Sequence, residues 1–172
     1  MSRKLIHLAG AAIGSVALLA ASAVPASAAD TVTTFELAAG TLDLAVAATA
    51  TLTDGDSGAT TISGSLGAVS VTDDRGGVLG WVTSAASSVF TGAPVATVST
   101  AVSYNSGGVT GTGSVTRTST GATALTAAAA TVVSGTTVNG NNTAAWDPTL
   151  TVTLPSTSSA GTYTGTVTTS LV

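Results

Sequence analysis

Apolar and polar residues alternate at period two along most of this chain. Leu42, Leu44 and Val46 face one way and Thr41, Asp43 and Ala45 the other; Leu150, Val152 and Leu154 alternate with Thr149, Thr151 and Thr153. Nearer the start, Thr33, Phe35 and Leu37 share a side opposite Val32, Thr34 and Glu36. Shorter runs carry Ile62 and Leu66, then Val69 and Val71, then a stretch from Trp81-Val82 to Val89-Phe90. Val98, Val102 and Tyr104 share a face, Val109 and Val115 sit in a Gly/Thr segment, and Tyr163, Val167 and Leu171 close the chain. This period marks antiparallel strands with one face buried.

Turn chemistry separates the runs. Asp54-Gly55-Asp56-Ser57-Gly58, Asp73-Asp74-Arg75-Gly76-Gly77, Asn105-Ser106-Gly107-Gly108, Asn139-Gly140-Asn141-Asn142 and the segment 155–161 all supply Gly, Asn, Asp or Pro where the backbone must reverse. Strands of ordinary length between such turns number about eight to ten. Residues 122–130 are Ala-rich and are the one plausible helix, but Thr123 and Thr126 disfavour it and no cap supports it. They read as a strand, with one short helix as the alternative. The expected fold is all-β: an antiparallel β-sandwich forming a single domain over residues 30–172.

Residues 1–29 read as a secretory signal peptide. Arg3 and Lys4 precede an apolar run broken at Pro25, and Ala26-Ser27-Ala28 is a small-x-small site with cleavage after Ala28 or Ala29. The competing reading is a membrane anchor, for which the run is close to the minimum length. Nothing beyond residue 30 is apolar enough for a spanning helix. The expected location is therefore secreted, at the extracellular cell surface.

Removing that leader changes the chemistry available. His7, Lys4 and Met1 go with it, and the chain has no Cys. What remains lacks most side chains that act as nucleophiles or bases near neutral pH, so the chain is read as non-enzymatic, with no cofactor. Without Cys no disulfide can staple the fold. All eight acidic residues lie beyond the leader, against only Arg75 and Arg117. That balance opposes nucleic acid or anionic lipid as a partner. Thr fills the water-facing strand positions in place of charge.

Asp54, Asp56, Asp73 and Asp74 cluster oxygens that a calcium ion could use, but no complete loop pattern is present and Asp in a Gly-containing turn is ordinary. No metal site is assigned. A paired-carboxylate glycan hydrolase is a distant alternative, because Glu36 is the sole Glu and aromatics are too few to line a sugar cleft. Leu154-Pro155-Ser156-Thr157-Ser158 mimics a sortase motif without its Gly, apolar span or basic tail. Thr151/Thr153 and Thr164/Thr166/Thr168 lack the fixed period of an ice-binding face.

Two stretches carry a family likeness. The first is Val71-Thr72-Asp73-Asp74-Arg75-Gly76-Gly77, continuing through Gly80-Trp81-Val82-Thr83 to Val89-Phe90-Thr91. The second is Trp146, then Leu150-Thr151-Val152-Thr153-Leu154-Pro155, then Ala160-Gly161-Thr162-Tyr163-Thr164-Gly165-Thr166-Val167. Together they resemble the WxL-type cell-surface domains of Gram-positive bacteria. The resemblance implies a β-rich domain attached non-covalently to the cell wall through peptidoglycan. Both W-x-L motifs are degenerate: Thr83 stands for Leu in Trp81-Val82-Thr83, and Thr169 for Trp in Thr169-Ser170-Leu171.

Two functional expectations follow. In the first, a secreted surface protein binds cell-wall glycan, with Trp146 and Tyr163 as rings that could stack on sugar. In the second, a structural subunit or adhesin joins other surface proteins or its own copies by adding an edge strand to a neighbour's sheet.

Overall fold

The computed structural model describes residues 30–53, 55–56, 58–92 and 101–172. The leader with Ala28 and Ala29, together with Asp54 and Val98, lies outside them. Among the described residues there are thirteen strands and no helix. In chain order these are β1 (Leu42–Ala45), β2 (Thr61–Ser65), β3 (Val69–Asp73), β4 (Trp81–Ser87), β5 (Thr91–Gly92), β6 (Ala101–Asn105) and β7 (Ser114–Ser119). There follow β8 (Ala122–Leu125), β9 (Ala130–Asn139), β10 (Asn142–Trp146), β11 (Thr149–Thr153), β12 (Tyr163–Thr164) and β13 (Val167–Leu171). All pairings are antiparallel. Sheet A runs β1-β3-β10, sheet B β2-β11-β6-β8 and sheet C β13-β4-β9-β7; among the described residues β5 and β12 pair only with each other.

One compact unit spans Leu37–Val172 and holds every strand. Sheet C is its common layer. On β4 the buried residues Trp81, Thr83, Ala85 and Ser87 alternate with half-buried Val82, Ser84 and Ala86. The β4–β9 register pairs Thr83 with Val133 but Ser84 with Thr131, so Val132 is an extra residue. Such a bulge turns two successive side chains to one face. Val132 packs with Ala85, Val102, Tyr104, Leu125, Leu150 and Val152, a core between sheets C and B. Val133 packs with Val69, Val71, Trp81, Ala144 and Trp146, a second core between sheets C and A. The inner face of one sheet therefore serves two cores, and the chain crosses from sheet A to sheet B at Asp147-Pro148, between β10 and β11.

The aromatic side chains find room opposite glycine. Trp81 pairs across the ladder with Gly135, where a Cβ would lie 2.3 Å from the indole Cε2. Gly135 thus leaves the ring a place over the β9 backbone, one of the reasons glycine occurs inside strands. Phe90 has the same relation to Gly165, where a Cβ would meet the ring at 2.8 Å.

The all-β, sandwich-like single domain is as the alternation implies. Three details differ. The count exceeds ten partly because β5 and β12 are two-residue strands that the pattern does not mark. Residues 122–130, read as one strand, are divided: β8 takes 122–125 and β9 begins at Ala130, with no helix between them. Residues 31–37, strand-like in pattern, form no strand. Val32, Phe35 and Leu37 are 89%, 91% and 89% exposed, because an extended segment without a neighbouring strand has neither ladder bonds nor a face to cover.

Candidate functional site

Three places in the compact unit concentrate chemistry. The first is the end at which the chain crosses between sheets A and C. It crosses once between β3 and β4 and again in the two residues between β9 and β10. Gly76, Gly77 and Gly140 adopt φ of 68°, 72° and 78° there, which glycine supplies without a Cβ clash. The Gly140 N–H donates to the Gly77 carbonyl at 2.8 Å and ties the two crossings together.

Side chains reinforce this corner. Asp73 is 1% exposed and accepts from Arg75 Nε at 2.9 Å and Nη2 at 3.1 Å. Asn142, 2% exposed, donates through Nδ2 to Asp73 at 3.2 Å and accepts the Trp81 indole N–H at 3.0 Å. Arg75 reaches on to the Gly80 carbonyl at 3.0 Å. The Arg75 guanidinium holds the Asp73 carboxyl below its ordinary range, against the opposing effect of burial and with help from the Arg75 backbone N–H and Asn142. Asp73 in turn raises Arg75. A charge this buried is stable only when paired and hydrogen-bonded, and here it is both.

This arrangement corrects one reading of the sequence. Asp73 is not open to a calcium ion, since its oxygens are taken by Arg75 and Asn142. Asp56 and Asp74 are exposed and Asp54 is not described. No group of three or more His, Cys, Asp or Glu that could hold a metal lies among the described residues.

The second place is the junction of the two cores. Trp146 was the expected sugar platform, and here too the structure corrects the expectation. The ring is 4% exposed, and its Nε1 donates to the Tyr104 hydroxyl at 2.8 Å. A ring with no free face cannot stack on a ligand; it joins the core of sheet A to that of sheet B. Burial raises the Tyr104 phenol, and the bond from Trp146 offsets part of that. Tyr163 is half-buried on β12, with its hydroxyl donating to the Ser159 carbonyl at 2.7 Å. The structure brings Trp146 and Tyr163 to no common surface.

The two degenerate W-x-L stretches do meet. β4 pairs with β13 so that Thr83 opposes Leu171 and Ala85 opposes Thr169. Thr83 is fully buried and donates to the Val133 carbonyl at 3.0 Å, while Thr169 and Leu171 are half-buried. The departures from the motif are thus inward-facing positions of neighbouring strands.

The third place is a surface cleft of about 290 Å³ between sheet B and β13, walled in part by the segment 46–50 that follows β1. Leu52, Leu66, Val69, Leu150, Val167 and Thr169 are among its walls. No charged side chain is among its described walls, which leaves it suited to apolar contact and backbone pairing rather than proton transfer. Sequence reasoning missed this cleft and the Asp73–Asn142–Trp81 network, both of which join residues far apart in the chain. Compared with protein-family models, curated proteins and solved structures, the chain matches none.

Proposed function

We propose that this chain is an exported, non-catalytic surface protein that works as a structural subunit, joining copies by strand addition at sheet edges. The observation that carries this is the segment 31–37. It has the alternation of a strand, leaves Phe35 and Leu37 about nine-tenths exposed, and pairs with nothing among the described residues. Apolar surface in that arrangement marks an interaction site, and an unpaired strand is completed by another sheet's edge. Non-catalytic action is supported by the lack of His, Cys and Lys beyond the leader and by the neutralisation of the buried carboxylate Asp73 by Arg75. The likeness to WxL-type domains supports a wall-surface address.

Adhesion to wall glycan is the lesser reading, because of the two rings expected to stack on sugar Trp146 is buried and Tyr163 is half-buried. Light scattering of the exported chain over a wide concentration range tests the assembly reading. Mass that grows with concentration supports it; a strict monomer throughout sinks it.

A further inference from the structure

We infer that residues 31–37 of one copy add as an antiparallel strand to the outer edge of β13 in a second copy, seating Phe35 and Leu37 in the cleft beside it. The inference rests on the assembly reading and names its two contacting parts.

The backbone of β13 shows which groups are free. Val82 and Val172 exchange both N–H···O bonds, at 2.8 and 3.0 Å, and Ser88 N–H donates to Thr166 O at 2.9 Å. In an antiparallel ladder such bonded pairs recur at every second residue. The even-numbered residues of β13 therefore bond to β4, and Val167, Thr169 and Leu171 turn their N–H and C=O groups outward. Sheet C ends at this strand, so that edge has no strand partner among the described residues. The side chains of these same three residues are half-buried, whereas Thr168 and Ser170 are exposed.

The segment 31–37 matches this edge in parity and length. Directly opposed residues of an antiparallel pair share a face. Setting Leu37 opposite Val167, Phe35 opposite Thr169 and Thr33 opposite Leu171 forms bonded pairs along the free edge. The same register turns Phe35 and Leu37 toward Val167 and Thr169, which line the cleft, and leaves Glu36 in water. A slip of one residue would reverse every side chain.

The partner is a second copy because a chain cannot reach its own edge in this register. Asp74 N–H donates to Thr41 O at 2.8 Å, and a Cβ on Gly40 would collide with the Asp74 carbonyl. Residues 40–41 are thus pinned at the corner between β3 and β4, the end at which Leu171 opposes Thr83. Leu37 seated at Val167 would sit a full strand length away, about 13 Å. Only Ala38 and Ala39 separate Leu37 from Gly40, a reach of at most about 11 Å.

The test uses the full chain, exported under its own leader and purified, with F35D/L37D on the inward face, V32D/T34D on the outward face, and T169P on the acceptor edge. Proline at 169 removes an N–H that β4 does not use, so folding, checked by circular dichroism, is retained. F35D/L37D should raise the concentration for half-assembly by about a hundredfold. T169P should weaken assembly as well, and V32D/T34D should assemble like the parent. A synthetic peptide of residues 30–39 should cap the parent and reduce its mass, and its F35D version should not. If the parent assembles but F35D/L37D or T169P assembles equally well, or both faces of the segment matter alike, this contact is wrong while assembly stands. A parent that stays monomeric overturns both.

Discussion

The Tyr104 phenol is fully buried and accepts the Trp146 indole N–H. Tyr104→Phe keeps the ring and strands that donor, which should cost about 1–3 kcal/mol in urea unfolding at neutral pH. The phenol pKa is raised in the folded chain, chiefly by burial. The folded chain therefore keeps a proton that the unfolded chain loses near pH 10. The stability tied to this group is present below that pH and falls as pH rises beyond it. The gap between the parent and Tyr104→Phe should narrow in alkali; a constant gap would contradict this account. Thr137 stands at φ 52° in β9, a left-handed conformation that a β-branched residue adopts at a cost of about 1–2 kcal/mol. Thr137→Gly relieves it and should raise the unfolding midpoint, unlike most glycine substitutions in strands. Neither feature is legible in the sequence. Tyr104 and Trp146 are 42 residues apart, and Thr137 looks like any strand threonine until its neighbours shift register.

Strands were legible where alternation and a partner coincide, as in β1 and β11, since period two reports directly on which face is buried. The signal fails at β9, where Val132 and Val133 both point inward because of a bulge. It fails in the opposite sense at 31–37, where the pattern is present and the partner is not. Gly135 is the element's most constrained position. A Cβ there meets three atoms of the Trp81 ring within 2.7 Å, so Gly135→Ala should cost about 1–3 kcal/mol by overpacking and shift Trp fluorescence toward that of exposed indole. At the corner, Arg75 lowers the Asp73 pKa in the folded chain. The stabilisation it gives is present above the unfolded value near 3.9 and is lost as pH falls through the lower folded value. Asp73→Asn sets an amide nitrogen against Arg75 or Asn142. It should destabilise the chain at pH 7, with the difference from the parent shrinking below about pH 4. A difference that grows in acid would show that the ion pair is not what holds this corner.

Two cores share sheet C, yet the connections between them argue against independent unfolding. β4 gives Trp81 to one core and Ala85 to the other, and the β9 bulge divides Val133 and Val132 in the same way. The β10–β11 passage links sheet A to sheet B covalently, and the Tyr104–Trp146 bond joins the cores at their boundary. Losing one core removes packing from strands that the other needs, so the compact unit should behave as one cooperative block. Leu150→Ala tests this from the far side. Leu150 is 1% exposed in the sheet B core, and its truncation should cost about 2–5 kcal/mol. Trp81 and Trp146 both lie in the other core, and of the two only Trp146 is linked to the substituted core, through its bond to Tyr104 opposite Leu150. Under a single transition, the Trp fluorescence midpoint and the far-ultraviolet circular dichroism midpoint fall together in Leu150→Ala. If the dichroism shifts while the fluorescence stays at the parent midpoint, the cores unfold separately, and sheet C is a shared wall that does not couple them.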